Sequence, residues 1–580
     1  MTTIFNDPSE FCDDQLAGFV DLYADRLREV AGGVVALRSG EPQVAVVVGG
    51  GSGHYPAFAG LVGPGLATGA VVGNVFTSPS AAQVYSVAKA AHQGRGVILA
   101  FGNYAGDVMN FGIAARRLNA EGIDTRVVLV TDDIASAPDV DRRRGIAGDF
   151  TVFKTMGAAA AAGLDIHEVE RVGRAANDST RTLGVAFSGC TMPGASEPLF
   201  SVPAGHLGLG LGIHGEPGIR DEPLPTARAL AGTLVSSVLG QAPAGAGNRI
   251  GVILNGLGAT KYEELFLLWG AIAPMLRERG HRIVDPEVGE LVTSLDMGGC
   301  SLTVFWLTDE LEEYWSADAY TPAYRKQRAP LQSLDTAGPE PVADVVHPER
   351  VPDAGSAARE LARTVLAGLR RASATLEDHE NELGAIDAVA GDGDHGRGMV
   401  KGASAALAAA EAVAGTAGAG WMLRVAGSAW AARAGGTSGV LWGAALEAAG
   451  RALPDEADAF HRQDLERAVC SFARAIEELG GASLGDKTLL DALLPFAGAL
   501  SSSLSETMDP AQAWCEASEV ATRRAASTAE LRPRVGRARP LAEKSLGTPD
   551  AGATSMALIL TAVARDPEVL ATLGTRETVK

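Results

Sequence analysis

Three carboxylates, Asp387, Asp392 and Asp394, fall within eight residues in the run Ile386–Gly398 (IDAVAGDGDHGRG), with Gly391 and Gly393 between them. Charges of one sign this close repel unless a cation neutralises them. Magnesium is a hard ion that takes carboxylates together with phosphate oxygens and water. The loop therefore reads as a magnesium–nucleotide site. The plainer alternative is a solvated turn, and the spacing of an EF-hand calcium loop is not met. Gly435–Gly439 (GGTSG) supplies backbone N–H groups around Gly436 and the hydroxyls of Thr437 and Ser438, ahead of an expected helix, a combination that suits phosphate oxygens. Gly485 and Asp486, in GDKTLLDAL, stand at another expected helix start, where a cap fits as well as a ligand contact. Gly536–Ala538 (GRA, with Arg537) and Gly547–Ala553 (GTPDAGA, with Asp550 and Gly552) are turn-rich and suited to closing over a nucleotide. Neither a Walker A pattern nor a protein-kinase glycine loop occurs.

A second set of motifs lies earlier. Gly49–Pro56 (GGGSGHYP) follows an expected strand, and its glycines let the backbone approach a ligand closely. Gly51, Ser52 and Gly53 lead there to His54. Gly102–Asp107 (GNYAGD) follows another strand and puts Asp107 where a general base can meet a hydroxyl, although an acid there also suits a helix cap. In Gly208–Gly218 (GLGLGIHGEPG) glycines flank His214 and leave its imidazole available as nucleophile or ligand. The ten histidines contain no HxxxH or HExxH pair, so zinc is not indicated.

The elements that must carry these motifs change character along the chain. Gln43–Val48, Gly96–Phe101, Thr125–Val130 and Arg249–Leu254 are β-branched runs expected as strands, the first ending at Gly49. Ala81–Gln93 has helical period. Residues 1–330 thus predict an α/β fold, in which ligands gather at the carboxyl ends of strands. Residues 331–355 are rich in Pro, Asp and Val and read as a linker. From 356 to 580 Ala and Leu dominate, and an all-helical domain with close contacts through Ala and Gly is expected.

Bulk composition narrows the function classes. The 580 residues carry a formal charge of −21 and no Lys/Arg cluster, which speaks against nucleic acid. An acidic chain binds polyphosphate only with the help of metal ions and backbone N–H groups. Five widely spaced cysteines without a CxxC pair fit a reducing cytoplasm. The first residues lack a signal-peptide core, and no long apolar run predicts a membrane span.

Taken in order, GGGSGH, GNYAGD, LGIHGEPG, NGLGATKYEELF (Asn255–Phe266), DAVAGDGDHG, GGTSGVLWGA and GDKTLLDAL resemble the dihydroxyacetone kinase family in its single-chain, ATP-dependent form. The resemblance covers nearly the whole chain. It implies a ketose-binding domain of two α/β lobes followed by a helical-barrel domain for ATP. His214 would add covalently to the substrate carbonyl as a hemiaminal. His54 and Asp107 would form the polar pair at the reacting hydroxyl, either one as general base, with Gly51, Ser52 and Gly53 touching the substrate. Asp387, Asp392 and Asp394 would bind two magnesium ions. Nucleotide contacts would come from Asp392, Gly393, Asp394, His395, Gly396, Gly436, Thr437, Ser438, Gly485, Asp486, Arg537, Asp550 and Gly552. A homodimer, with one subunit's nucleotide domain serving the other's ketose site, is also implied.

The chain departs from the family pattern at several positions. Gly102 stands where many dihydroxyacetone-specific members have Lys, and Tyr55 where Glu is frequent. The loss of a side chain at 102 is expected to free volume for a longer sugar, which points to the branch acting on erythrulose in polyol catabolism. His395 and Arg397 replace small hydroxyl residues. The alternatives are a dihydroxyacetone or glyceraldehyde kinase with flavin-dinucleotide cyclase side activity, and a non-enzymatic ketose-binding regulator.

Overall fold

The computed structural model describes residues 2–37, 40–328, 351–434, 436–506, 509–535 and 538–574. The chain divides into two units, Met1–Gly338 and Pro339–Lys580. The expected linker falls mostly outside the described residues, as do Gly435, Gly536 and Arg537.

In the first unit, strands β1 (Leu27–Val30), β2 (Gly33–Ala36), β3 (Ala45–Ser52), β4 (Gly69–Val75), β5 (Val97–Gly102) and β6 (Thr125–Val130) form a sheet in the order β1-β2-β4-β3-β5-β6. Pairs β4–β3, β3–β5 and β5–β6 are parallel. Their apolar runs are buried along almost their whole length, as a sheet covered on both faces requires. The helices beside it are α1 (Phe11–Leu22), α2 (Ala81–Ala91), α3 (Ala105–Ala120), α4 (Asp149–Ala161) and α5 (Ile166–Asp178). Ser80 and Gln83 close a capping box at the start of α2, and Asp165 and Glu168 do the same for α5. The chain leaves β3 for β4 on one side and returns to β5 on the other. The carboxyl ends of β3 and β5 are thus a topological switch point, where open α/β sheets take their ligands.

The second lobe has strands β7 (Thr180–Ala186), β8 (His206–Leu209), β9 (Arg220–Pro223), β10 (Arg249–Gly256), β11 (Arg282–Ile283), β12 (Glu287–Gly289) and β13 (Gly299–Trp306), with helices α6 (Ala227–Leu239), α7 (Tyr262–Glu278) and α8 (Asp309–Trp315). The sheet order is β11-β10-β13-β7-β8-β9, with β12 also beside β10. Leu183, Val252, Leu254 and Leu302 of this sheet pack on Leu234 and Ile272 of α6 and α7.

The second unit is helical among the described residues: α9 (Ser356–Asp378), α10 (Glu380–Asp387), α11 (His395–Ala412), α12 (Ala419–Ala434), α13 (Gly436–Arg451), α14 (Arg462–Gly480), α15 (Leu490–Ser505), α16 (Pro510–Ser527), α17 (Ala551–Ala564) and α18 (Pro567–Gly574). Small residues set its closest packing, as expected. A Cβ on Gly427 would meet the Gly443 carbonyl oxygen at 2.6 Å, and one on Gly450 would meet that of Gly420 at 2.5 Å, so α12 and α13 touch along their backbones. Trp430 and Trp442 stack between them at 4.8 Å.

Candidate active sites

In the first unit β3 does not end at Gly49, as the sequence suggested. It pairs with β4 through Gly49↔Val71, Gly50↔Val72 and Gly51↔Gly73, and the register shifts only between Gly51 and Ser52. The glycines are required by crowding. A Cβ on Gly50 would meet the Phe58 ring at 2.8 Å, and one on Gly51 would meet the Thr77 nitrogen at 2.6 Å. Ser52 donates its hydroxyl to the Gly73 carbonyl at 2.6 Å. Gly53 then turns with φ of 100° and delivers His54.

His54 is buried, not projecting from an open loop: it is 3% exposed, with its ring stacked on Phe76 at 5.1 Å. Its Nδ1 lies 2.7 Å from the Thr293 carbonyl oxygen, and its Nε2 lies 3.0 Å from Nε2 of His214. Burial, and after it the neighbouring His214, pushes the His54 imidazole down to about 3.

His214 sits in the connection between β8 and β9. Its flanking glycines do not leave it open. The rings of His54, Phe76 and Tyr104 meet it edge-on, with centroids 4.9, 5.1 and 4.9 Å away. Nδ1 faces the Glu216 carboxylate at 3.1 Å, and the other carboxylate oxygen accepts the His214 backbone N–H at 3.0 Å. Although burial opposes ionisation, the bond to His214 and the nearby Arg144 hold Glu216 down to about 2. Glu216 was missed in the sequence. It sits two residues after His214 in a motif that was read for its histidine and glycines.

Asp107 occupies the first turn of α3, directly after β5. It is 8% exposed, and its Oδ1 is buried without a protein partner. Burial raises its carboxyl, against a hydrogen bond from Ser78 and the influence of His214. A carboxyl in this state is suited to accepting a proton from a hydroxyl brought against it.

The volume expected at Gly102 is not free. A Cβ there would meet Cε2 of Tyr104 at 3.0 Å and the Gly145 carbonyl oxygen at 3.1 Å, and the Tyr104 hydroxyl donates to that oxygen at 3.1 Å. The ring thus occupies the space above Gly102 and forms one wall of the His214 surroundings. Tyr55, also singled out, is 48% exposed beside the small cavity lined by Gly51, Ser52, Gly53 and Phe58.

In the second unit Asp387 ends α10, and Asp392 and Asp394 precede α11. One carboxylate oxygen from each lies within 4.8 Å of the others. Gly393 turns with φ of 77° and donates its N–H to Asp387 at 2.8 Å, while a Cβ on Gly391 would meet Asp387 Oδ1 at 2.3 Å. The loop is therefore wound around Asp387. Three carboxylates gathered at one point form an all-oxygen donor set that fits magnesium, with places left for phosphate oxygens.

A cavity of about 290 Å³ beside this cluster brings together Asp387, His395, Thr437, Ser438, Asp550 and Gly552. A larger cavity of the same unit, about 590 Å³, is lined by apolar side chains such as Leu361, Trp430, Phe472 and Leu560 and by none of the three acids. The smaller one is therefore where the polar chemistry is. Helix α13 begins at Gly436 itself, so Thr437 and Ser438 stand on its first turn, where free N–H groups favour anions. Asp550 caps α17 by accepting the Ala553 N–H at 2.7 Å, and burial pushes it up to about 6.

Other residues expected as nucleotide contacts also have packing or capping partners within the chain. A Cβ on Gly396 would meet the Glu380 carbonyl oxygen at 2.0 Å, so this glycine lets α11 pack. Gly485 and Asp486 belong to a turn in which Asp486 accepts the Ser483 N–H at 2.8 Å and Asp491 accepts that of Gly485, and α15 starts only at Leu490. Lys487, in the same motif, is 5% exposed and donates to Ser545 O at 2.8 Å, Ser545 Oγ at 3.2 Å and Thr548 O at 2.9 Å. His395 pairs with Ser555 Oγ at 2.9 Å.

Both units match known protein domains. Residues 17–323 match the Dak1 domain and residues 389–565 the DAK2 domain. The chain belongs to the dihydroxyacetone kinase family. Within the family it is 56% identical to the D-erythrulose kinase of Mycolicibacterium smegmatis, across 99% of this chain and 100% of that one. It is 53% identical to the L-erythrulose kinase of Pectobacterium atrosepticum, across 97% and 96%. The crystal structure of the dihydroxyacetone kinase of C. freundii in complex with AMP-PNP and Mg²⁺ superposes with a TM-score of 0.58 at 30% identity, covering 97% and 99% of the two chains. Likeness over its full length to these kinases makes the chain an ATP-dependent ketose kinase. No helix among the described residues is long and apolar enough to cross a membrane.

Proposed function

We propose that this kinase transfers the terminal phosphoryl group of ATP to a terminal hydroxyl of erythrulose, with dihydroxyacetone as a poorer substrate. The observation that carries the reading is His214 Nε2, presented 3.0 Å from His54 Nε2 inside a ring of aromatic side chains with Nδ1 anchored on a carboxylate. Such an imidazole can add to a carbonyl carbon and hold an open-chain ketose in one orientation, whereas a polyol without a carbonyl gains nothing from it. Asp107 accepts the proton of the attacking hydroxyl, and His54 Nε2 faces His214. The four-carbon ketose is favoured because the full-length relatives of highest identity above are erythrulose kinases.

In the second unit Asp387, Asp392 and Asp394 would hold two magnesium ions, which when bound neutralise charge on the ATP phosphates. Thr437, Ser438 and the first N–H groups of α13 bind phosphate oxygens, and the loop carrying Asp550 and Gly552 covers the nucleotide. Residues 1–330 serve the ketose and 356–580 serve ATP, in a cytoplasmic homodimer. The testing experiment is ADP release with Mg²⁺-ATP against D-erythrulose, L-erythrulose, dihydroxyacetone and D-glyceraldehyde, compared by kcat/KM. An erythrulose should lead. Dihydroxyacetone in the lead would overturn the substrate assignment, and no reaction with any of the four would overturn the ketose.

A further inference from the structure

The polar contacts of His214 continue past Glu216. Arg144 lies 3.5 Å from Glu216 Oε2 through Nη1, and its Nε and Nη2 donate to Asp133 Oδ2 at 3.1 and 2.9 Å. Asp133 is 2% exposed, and its other oxygen accepts the Ala135 N–H at 3.0 Å. Asp133 and Arg144 belong to the segment after β6 of the first sheet, whereas His214 and Glu216 belong to the β8–β9 connection of the second. The two acids and the guanidinium thus join the two lobes behind the imidazole. The cradle is tight: a Cβ on Gly212 would meet Glu216 Oε2 at 2.1 Å and Arg144 Nη1 at 2.5 Å. Glycine at 212 is what lets carboxylate and guanidinium meet.

Hydrogen-bond partners fix the protons. The Thr293 carbonyl can only accept, so Nδ1 of His54 carries a proton. The Glu216 carboxylate can only accept, so Nδ1 of His214 carries one also. The two Nε2 atoms lie 3.0 Å apart, a distance that one shared proton would bridge. Around this pair stand Glu216, Arg144, Tyr104 and Asp107.

We infer that Arg144 is a positioning residue for ketose capture: it ties Glu216 to Asp133, keeps His214 protonated at Nδ1, and leaves the proton between the two Nε2 atoms ready for the ketose oxygen. The inference rests on His214 being the group that adds to the carbonyl. The step balances without any co-reactant. His214 Nε2 passes its proton to His54 Nε2, and the freed lone pair forms the bond to the carbonyl carbon. The π pair of the C=O bond moves onto oxygen, which takes the proton from His54. The His214 ring carries one positive charge before and after, with its Nδ1–H on Glu216 throughout, so the carboxylate faces the same charge in both states and need not reorganise.

The test uses the full chain labelled with ¹⁵N-histidine, together with steady-state kinetics on D-erythrulose. In the unsubstituted protein at neutral pH both His214 ring nitrogens should give protonated-type shifts. Arg144→Met should convert one of them to the bare type and raise KM for D-erythrulose about tenfold or more, with KM for ATP unchanged. Arg144→Lys, which keeps a cation between the acids, should recover most of the ring signature and of the KM. Unaltered ring shifts and ketose KM in Arg144→Met would overturn the inference. So would equal losses in the Met and Lys variants, which would make Arg144 a packing residue only. His214→Ala with an unchanged ketose KM would instead remove the covalent reading on which the inference rests.

Discussion

The Tyr104 ring lies directly on Gly102, so that a Cβ at 102 would stand 3.0 Å from Cε2 of the ring, and the same ring meets His214 edge-on at 4.9 Å. Glycine at 102 thus acts through its neighbour, by letting an aromatic wall close beside the histidine. Gly102→Ala should push that wall by a few tenths of an ångström. The expected result is a loss of about tenfold in kcat/KM for D-erythrulose, with a smaller loss for dihydroxyacetone, which does not reach as far. Equal losses for the two ketoses would separate the Gly102–Tyr104 contact from chain-length selection.

Asp392→Ala should abolish ADP release, by at least about a hundredfold, because two carboxylates hold a divalent ion poorly at millimolar concentration. High Mg²⁺ should recover part of the rate in Asp392→Asn, and chelation should silence the unsubstituted enzyme reversibly. Circular dichroism checks that the helical unit is intact. Full activity of the Ala variant without rescue conditions would remove Asp392 from the metal assignment.

Lys487 lines the cavity beside the acidic cluster and ties the loop around it through three oxygens. Lys487→Met should raise KM for ATP several-fold while leaving KM for the ketose unchanged. Because the substitution leaves carbonyl oxygens unpaired, it should also destabilise the helical unit by about 2 kcal/mol in urea unfolding. A raised KM for both substrates would mean that the loop does more than cover the nucleotide.

The burial of neutral His54 has a pH signature. Its folded value is held at about 3, below the 6.5 of an unperturbed imidazole. Below pH 6.5 the unfolded chain therefore binds a proton that the folded chain refuses. Stability from this group is fully present above pH 6.5 and is lost as pH falls towards 3, by about 1.4 kcal/mol per unit. Asp133, raised to about 6 by burial, acts in the opposite direction between its two values, so the comparison must be differential. Between pH 6.5 and 5 the unfolding free energy of the first unit should fall more steeply in the unsubstituted protein than in His54→Gln. Parallel curves would mean that His54 is protonated in the folded chain.

The α/β-then-helical division was legible because β-branched runs and Ala/Leu-rich segments differ in period, and period is local. The candidate chemistry was legible where residue type alone implies it: three acids in eight residues, or a histidine between glycines. The same locality misled at Gly49–Ser52, read as a loop because glycine usually breaks strands. There the ladder to β4 continues, because only glycine fits between Phe58 and Thr77.

By itself, then, the sequence determined the order of the α/β and helical domains and the family, and it nominated the side chains for the chemistry. Only the tertiary structure decided that His54 and His214, 160 positions apart, meet through their Nε2 atoms, that Thr293 and Glu216 set their tautomers, and that Tyr104 takes the space above Gly102. It also decided which groups of the chain Gly396, Asp486 and Lys487 pack against or bond to. The physical reason is that a motif states which groups are available, whereas burial and hydrogen-bond partners come from distant segments and fix where each proton sits and which way each group points.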